Sequence, residues 1–128
     1  MENFYKEKKI YYHDTDCGGV VYYANYLKYM EEAWTDFCLK YGVNLKELAE
    51  QGTYFVIAHI EVDYKCSAHY QDVIKIFTYV EKIRRLSVHY SQEIKNAENL
   101  LVKAMVIWAC VDKDFRPKRL PDIIRSWK

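Results

Sequence analysis

Residues 24–42 read ANYLKYMEEAWTDFCLKYG, and this stretch decides the fold because it carries a helical period in a chain that otherwise alternates. Apolar side chains recur in it at intervals of three or four residues, as from Tyr26 to Met30, which is the spacing of one helix face. Gly42 follows at the position where a C-terminal cap ends a helix. We therefore predict one long helix over residues 24–41.

Outside this helix the chain consists mainly of segments with a period of two, which is typical of strands. The predicted strands are residues 4–12, 54–65, 73–83, 86–95 and 100–111. A short helix is predicted over residues 45–51, before Gly52, and a hairpin turn over residues 96–99. One strand, a long helix and four further strands predict an antiparallel sheet laid against one helix, in an α+β fold.

Two of the predicted strands indicate which faces of the sheet are covered. In the strand that begins at residue 54, Val56, Ala58 and Ile60 are expected to share one apolar face. The strand over residues 100–111 is apolar at both alternating sets of positions, which indicates burial on both faces. In so short a chain, we expect the helix on one of these faces and a second subunit on the other.

Length and charge limit the class of protein. A chain of 128 residues has room for one domain, which we predict to span residues 1–128. Its 19 basic and 18 acidic residues give a net charge of +1, too little to hold nucleic acid or an anionic membrane non-specifically. No segment approaches the roughly 20 apolar residues of a membrane span, so no integral membrane segment is predicted. The four cysteines form no C-x-x-C pair, which favours free thiols in the cytoplasm.

Polar, ionisable and glycine residues are densest over residues 13–19, HDTDCGG, between the first strand and the long helix. Gly18 and Gly19 allow close approach of the backbone, and the free N–H groups of the following helix turn suit a developing oxyanion. Asp16 lies just before these donors, and a carboxylate beside oxyanion donors suits acyl transfer. Asp14 is expected to hold the loop through backbone N–H groups. Neighbouring side chains of one short loop rarely converge on one ion, so we predict no metal and no cofactor.

The run over residues 14–29, DTDCGGVVYYANYLKY, resembles the signature of the 4-hydroxybenzoyl-CoA thioesterase family of hotdog-fold enzymes. Within that family it is most similar to the short bacterial acyl-CoA thioesterases associated with the Tol–Pal system. The resemblance implies a five-stranded antiparallel sheet wrapped around one long helix, and an acyl-CoA substrate that is hydrolysed to a carboxylic acid and free CoA. It also implies a homodimer or homotetramer with active sites at the subunit interface.

The same resemblance implies roles for residues of the motif. It makes Asp16 the catalytic carboxylate, as nucleophile or as general base, and the backbone N–H near Tyr23 the donor to the thioester carbonyl. Gly19, Val20 and Tyr22 are expected to contact the substrate. Which of its two roles Asp16 takes is left open by the sequence.

Two arginines and two departures from the family pattern complete the site prediction. Arg84 and Arg85 fall roughly where family members place CoA contacts, and solvated charges at a hairpin are the alternative. Tyr23 stands where the Tol–Pal-associated enzymes usually have histidine, and Ser67 stands where the family often has proline. The resemblance therefore implies no side-chain role at position 23 and no acyl preference. A non-catalytic module that binds acyl-CoA or acyl carrier protein is the alternative function.

Overall fold

The computed structural model describes residues 3–97 and 99–127, which form one antiparallel sheet and three helices. The helices are α1 (Asn25–Lys40), α2 (Leu45–Glu50) and α3 (Asp122–Arg125). The strands are β1 (Phe4–Lys9), β2 (Tyr54–Tyr64), β3 (Val73–Ile83), β4 (Ser87–Asn96) and β5 (Asn99–Val111). Their order in the sheet is β1-β3-β4-β5-β2, so β1 and β2 are the two edges. The prediction of an α+β fold with one long helix is confirmed.

α1 crosses one face of the sheet, and each half of the helix packs in its own cluster of core residues. Its first half, with Tyr26 and Tyr29, packs in a cluster that includes Ile74. Its second half, with Trp34 and Phe37, packs in a second cluster, rich in aromatic rings. α1 lies closest to β1 and β3, whereas α2 packs on β2. Because α1 is displaced toward one edge, a groove remains between it and the other edge strand, β2. Among the described residues, none of the helices combines the length and the apolar character that a membrane span needs.

The C-terminal end of α1 depends on Gly42, as predicted. Gly42 adopts φ +84°, in the left-handed region that favours glycine. The N–H of Val43 donates to the carbonyl of Cys38 at 2.8 Å, and the N–H of Gly42 donates to that of Leu39 at 3.2 Å. These two hydrogen bonds form a Schellman cap, which uses carbonyls that the helix leaves free. The helix predicted over residues 24–41 is one residue too long at each end.

The first strand is shorter than the sequence predicts. β1 ends at Lys9, and Tyr12–Asp14 form a 3-10 turn. The Asp14 carboxylate accepts a hydrogen bond from the N–H of Tyr11 at 2.8 Å, so a side chain takes the donor that a continuing strand would pair. The prediction of a strand over residues 4–12 is therefore wrong beyond Lys9.

A bulge in β2 changes which of its side chains face α1. The pairing of β2 with β5 shifts register just after Ile57. Phe55 and Ile57 line the groove before the bulge, and Ile60 lines it after the bulge. The expectation that Val56 and Ala58 share a face with Ile60 is wrong, because the extra residue inverts the alternation. The other predicted helix and strands are confirmed to within one residue at either end.

The hairpin predicted over residues 96–99 is confirmed by the pairing of Asn96 with Asn99, while Glu98 lies outside the described residues. β5, which begins there, is buried on the face that meets α1, as at Val106 and Trp108. On its opposite face Met105 is exposed. The helix-covered face is thus confirmed, and a second subunit on the other face stays a prediction.

The segment after β5 completes the aromatic cluster, which the sequence pattern does not predict. Leu120, Ile124 and Trp127 are buried there, and the Trp127 ring meets the edge of Phe37 with centroids 5.4 Å apart. The N–H of Leu120 donates to the carbonyl of Arg85 at 3.1 Å, which ties this segment to the turn between β3 and β4.

Candidate active site

The loop between β1 and α1 is closed by its own backbone. The N–H of Asp16 donates to the carbonyl of Val20 at 2.9 Å, and the N–H of Gly19 donates to the carbonyl of Asp16 at 3.0 Å. Gly19 adopts φ +80°, and a Cβ added there would meet nothing within 4 Å. Glycine is therefore needed at this position for its backbone conformation and not for space.

The Asp16 carboxylate is exposed, and the loop itself orients it. Its Oδ1 accepts a hydrogen bond from the N–H of Gly18 at 2.8 Å. No basic side chain in residues 3–97 and 99–127 forms an ion pair with it. Its other oxygen is therefore free to meet a substrate carbonyl or a water molecule.

Asp16 lines a cavity of about 230 Å³ between the start of α1 and the end of β2. The other lining residues come from the loop, from α1 and from the segment after β2: Val20, Val21, Tyr23, Tyr26, Tyr64, Lys65, Cys66 and Ser67. The sequence predicts Asp16, Val20 and Tyr23 as site residues, but it gives the segment 64–67 no place in the site beyond the departure at Ser67. That segment reaches the loop through the bond from the N–H of Val21 to the carbonyl of Ala68 at 2.9 Å, a long-range contact with no local sequence signal.

Two backbone N–H groups at the start of α1 have no acceptor within the described part of the chain. The N–H of Tyr22 donates to the carbonyl of Asp14 at 3.0 Å, and that of Asn25 donates to the carbonyl of Tyr22 at 2.8 Å. Between them, the N–H groups of Tyr23 and Ala24 are unpaired. The free N–H groups and the dipole of a helix start both favour negative charge, and Tyr23 lines the Asp16 cavity.

Asp14 is buried beneath the loop surface and holds the loop in place, as expected. Its carboxylate is buried and accepts hydrogen bonds from the Tyr29 hydroxyl at 2.7 Å and the N–H of Tyr11 at 2.8 Å, with Lys8 Nζ at 3.3 Å. Burial by itself raises the pKa of Asp14, but the hydrogen bonds and the lysine outweigh it and hold this pKa below its ordinary value. The backbone carbonyl of Asp14 also accepts a hydrogen bond from the side-chain amide of Asn25 at 2.9 Å. Asp14 therefore joins β1, the loop and α1.

Four tyrosine rings contact one another in series at the Asp16 cavity. The Tyr23 ring lies 5.0 Å from Tyr22 and 6.0 Å from Tyr64, and Tyr64 lies 5.9 Å from Tyr26, between centroids. The Tyr26 hydroxyl accepts a hydrogen bond from the N–H of Ala68 at 2.9 Å, and burial raises its pKa, so it stays neutral. Tyr22 and Gly19, both predicted to contact substrate, are exposed beside the cavity but do not line it.

The two predicted CoA-binding arginines lie at the other end of the sheet. Lys9, which precedes the Asp16 loop, pairs with Val73 at the start of β3, whereas Arg84 and Arg85 follow the end of β3. An 11-residue strand separates the two ends by roughly 30 Å. Within one chain, Arg84 and Arg85 therefore lie too far from Asp16 to form one site with it.

The arginines are part of a larger basic cluster, and the sequence does not predict that its members meet. Arg84, Arg85, Arg119 and Arg125 line one cavity of about 430 Å³. Within the described residues only Arg125 has an acidic partner, the exposed Asp122 at 3.4 Å. The hydrogen bond between Leu120 and Arg85 brings together members of this cluster that are far apart in sequence.

A five-stranded antiparallel sheet packed on one long helix is the hotdog arrangement, and comparison with known proteins places the chain in the class of hotdog-fold thioesterases. The chain belongs to the thioesterase-like superfamily, whose family profile matches residues 11–127. It is 36% identical over 118 residues to the acyl-CoA thioester hydrolase YbgC of Escherichia coli O6:H1, which covers 91% of this chain and 88% of that protein. It is 31% identical over 127 residues to the 1,4-dihydroxy-2-naphthoyl-CoA hydrolase of Nostoc punctiforme, covering 98% of this chain and 86% of that protein.

Solved structures of thioesterases have the same fold as this chain. The crystal structure of the DHNA-CoA thioesterase from Staphylococcus aureus superposes with a TM-score of 0.89 at 32% identity, covering 99% of this chain and 87% of that one. A probable thioesterase from Bartonella henselae gives a TM-score of 0.88 at 30% identity, covering 94% of this chain and all of that one. The resemblance found in the sequence and the predicted hotdog fold are both confirmed.

Proposed function

We propose that this protein hydrolyses acyl-CoA thioesters to a carboxylic acid and free CoA. The observation that carries the proposal is that the exposed Asp16 carboxylate lines the same cavity as Tyr23, whose backbone N–H is unpaired within the described chain. Relatives named as acyl-CoA thioester hydrolases, at 36% identity over most of the chain, support the same substrate class.

In this proposal the thioester oxygen accepts hydrogen bonds from the N–H groups of Tyr23 and Ala24 as negative charge develops on it. As nucleophile, Asp16 attacks the carbonyl carbon, the carbon–sulfur bond breaks, and the CoA thiolate leaves and takes a proton from water. A water molecule then hydrolyses the resulting anhydride. As general base, Asp16 instead removes a proton from the attacking water, and that proton is passed to the leaving thiolate.

Release of free thiol from a panel of acyl-CoAs tests the assignment of Asp16. Asp16→Asn keeps the shape of the side chain and removes the carboxylate, so kcat should fall roughly 10²- to 10⁴-fold. Asp114→Asn makes the same charge change in an exposed turn and serves as the control. Equal rates for wild type and Asp16→Asn on every active substrate would refute the catalytic role.

A single turnover in water labelled with heavy oxygen tests the nucleophilic role of Asp16, for which label in the protein is the decisive result. With Asp16 as general base, the labelled oxygen appears in the first carboxylic acid released. With Asp16 as nucleophile and water attacking the aspartyl carbonyl, the first product is unlabelled and the label is found in the protein. Mass spectrometry of product and protein distinguishes these results.

The arginine cluster is proposed to bind the phosphates of CoA for the active site of a partner subunit. Four guanidinium groups with one acidic partner suit phosphate, which arginine binds in a bidentate manner. Because the cluster and Asp16 are at opposite ends of one sheet, they can serve one CoA only when they come from different chains.

A homodimer that pairs the β2 edges supplies this arrangement. β2 is an 11-residue edge strand that exposes Ile57 and Ile60, and such an edge is a template for pairing. Antiparallel pairing of two β2 strands about a two-fold axis brings the arginine end of one sheet beside the Asp16 end of the other. We propose this dimer, or a tetramer built from it.

A cytoplasmic location is part of the proposal, since the exposed thiols of Cys17 and Cys66 are unpaired and suit a reducing compartment. A purely binding role is less well supported, because an exposed carboxylate next to a polyanionic ligand weakens binding without catalysing a reaction.

A further inference from the structure

The middle of the edge strand β2 is exposed on both of its faces. Every residue from 57 to 61 is exposed, including Ile57 at 53% and Ile60 at 42% on the face toward α1. On the outer face, the side chains of His59 and Glu61 are 53% and 72% exposed. An unpaired edge that presents apolar groups on one face and charged groups on the other suits a partner that is itself a strand.

The pairing of β2 with β5 determines which backbone groups of β2 point to the free edge. The N–H of Lys65 donates to the carbonyl of Leu101 at 2.8 Å, at the end of this ladder. Because backbone groups alternate in direction along a strand, the N–H and C=O groups of residues 59, 61 and 63 also point to β5. Those of residues 60, 62 and 64 point to the free edge. The bulge precedes residue 59 and leaves this alternation intact.

A second copy can pair antiparallel with this edge about a two-fold axis only if one residue of β2 lies opposite itself. Near the middle of the exposed stretch, that residue is 59, 60, 61 or 62. An axis at Ile60 places His59 opposite Glu61 of the partner subunit, twice. An axis at His59 opposes two imidazoles, one at Glu61 opposes two carboxylates, and one at Val62 opposes residues 61 and 63, both acidic. Only the register centred on Ile60 opposes unlike charges without also opposing like ones.

We propose that β2 pairs with a second copy of this chain in the register centred on Ile60, and that reciprocal ion pairs between His59 and Glu61 of the partner subunit select this register. The inference rests on the β2 dimer of the proposed function. It adds to that dimer the register and the residues that recognise the second copy.

The reciprocal pairs close a ring of four groups around the axis. Within one chain, the Nε2 of His59 already lies 3.0 Å from the Glu61 carboxylate. Because both residues point their backbone groups at β5, they meet the partner as non-hydrogen-bonded pairs, whose Cα atoms are only about 4.5 Å apart. Each imidazole therefore lies between a carboxylate of its own chain and one of the partner, while Ile60 packs against its copy on the other face.

The same register brings a partner residue to the Asp16 cavity. Ile60 pairs with residue 106 of β5, whereas Tyr64 and Phe55 pair with residues 102 and 110, four positions to either side. Phe55 of the partner subunit therefore lies opposite Tyr64, which lines the Asp16 cavity and is 45% exposed in one chain. The second copy thus contributes a side chain to the wall of the candidate site.

The ring is expected to respond to pH. The other side chains that face it come from β2, β5 and β4: Asp63, Lys103, Met105, Ile107 and His89. Lys103 lies opposite Asp63, and Ile107 separates His89 from His59. Histidine becomes charged as the pH falls from about 8 to about 5. The wild-type dimer should therefore be tighter at pH 6 than at pH 8, because the ion pairs lose their positive charge as the pH rises.

Variants that exchange the charges test the register at pH 6. His59→Glu opposes carboxylates in both pairs and Glu61→His opposes imidazoles, so each homodimer should dissociate with a constant roughly 10- to 100-fold higher than wild type. An equimolar mixture of the two variants restores both unlike pairs, so heterodimers should form with about wild-type affinity. The double variant His59→Glu with Glu61→His should dimerise as wild type does. Sedimentation measures all four dissociation constants.

Asp63→Asn is the matched control, because it removes a carboxylate from the same face of the same strand and should leave the dissociation constant unchanged. Weakening by Asp63→Asn but not by Glu61→His would place the axis at Glu61 and overturn the proposed register. Equal affinity of wild type and all variants would also overturn it, while the β2 dimer and the proposed function stand. A monomeric wild type that releases thiol from acyl-CoAs would overturn the dimer and this inference but not the hydrolysis.

Discussion

Asp14 and Asp16 are two residues apart, and their surroundings separate their roles. Asp14 is 5% exposed and receives donors from a tyrosine, a backbone N–H and a lysine. Asp16 is exposed and receives one backbone N–H. A buried carboxylate with satisfied oxygens stabilises the loop, whereas an exposed carboxylate with a free oxygen can react.

The first residue-scale prediction concerns the hydroxyl that supports Asp14. Tyr29→Phe removes the 2.7 Å hydrogen bond to a buried carboxylate, and we expect the free energy of unfolding to fall by about 2 kcal/mol. Tyr22→Phe, in an exposed tyrosine of the same segment, should change it by less than about 0.5 kcal/mol. Urea denaturation of both variants measures the difference, and equal stability of the two would contradict a role for the buried bond.

The second residue-scale prediction is a pH dependence. Since the pKa of Asp14 in the folded state lies below the value of about 3.9 in the unfolded chain, its ionised form stabilises the fold fully above roughly pH 4. This stabilisation disappears as the pH falls through the lower folded pKa. The difference in unfolding free energy between wild type and Asp14→Asn should therefore be constant near neutral pH and shrink on acidification. A difference that stays constant throughout acid titration would argue against an ionised Asp14.

At the scale of the elements, the position of α1 produces both the site and the groove. At its start the N–H groups of Tyr23 and Ala24 have no acceptor in the described part of the chain, and its offset toward β1 and β3 leaves space beside β2. Gly42, in its left-handed conformation two residues after the helix, ends it, and Val43 is buried next in the chain. One helix thus contributes N–H groups to the candidate site, one wall of the groove and the centre of both core clusters.

Two glycines after helix ends give an element-scale prediction. Gly42 and Gly52 have φ of +84° and +86°, but a Cβ on Gly42 would lie 2.9 Å from Ile123 Cδ1 while one on Gly52 would meet nothing within 4 Å. In both alanine variants the left-handed conformation costs about 1 kcal/mol of stability. Gly42→Ala adds the close contact between the new Cβ and Ile123. We expect Gly42→Ala to lower Tm by more than Gly52→Ala in calorimetric scans. Identical Tm values would mean that Ile123 moves aside freely.

The short helix α3 gives a second test at this scale. Ile124 is fully buried in the aromatic cluster, whereas its neighbour Ile123 is 44% exposed. Ile124→Ala should cost about 2–5 kcal/mol of unfolding free energy, and Ile123→Ala much less. Similar losses in urea denaturation for the two variants would show that α3 is not part of the core.

At the scale of the whole molecule, the Asp16 cavity and the arginine cluster lie at opposite ends of the sheet. If they serve one CoA across a dimer, two defective chains should complement each other. Asp16→Asn and the double variant Arg84→Ala with Arg85→Ala should each be impaired alone. After mixing and refolding, half of the dimers combine the two chains and one of their two sites is intact, so roughly a quarter of the wild-type rate should return.

Thiol release at low acyl-CoA concentration measures this complementation, with sedimentation to establish that mixed dimers form. A rate no higher than the average of the two parent variants, in the presence of mixed dimers, would place both halves of the site in one chain. A folded monomer at micromolar concentration would exclude the proposed interface altogether.

The amino-acid sequence by itself determined the order of elements, the long helix and the residues of the loop that carries Asp16, because each is encoded by neighbouring residues. The helical period ends at Gly42, and the loop from Asp14 to Gly19 is dense in polar groups and glycine. The resemblance of that loop to a thioesterase signature rests on the same contiguous residues.

Only the tertiary structure decided which distant residues meet. The bulge after Ile57 inverts the faces of β2, the segment 64–67 closes the Asp16 cavity, and Leu120 draws Arg119 toward Arg85. The structure also separates the predicted arginines from Asp16 and buries the Trp34 N–H without an acceptor among the described residues. These features depend on long-range packing and strand register, which no local pattern of side chains encodes.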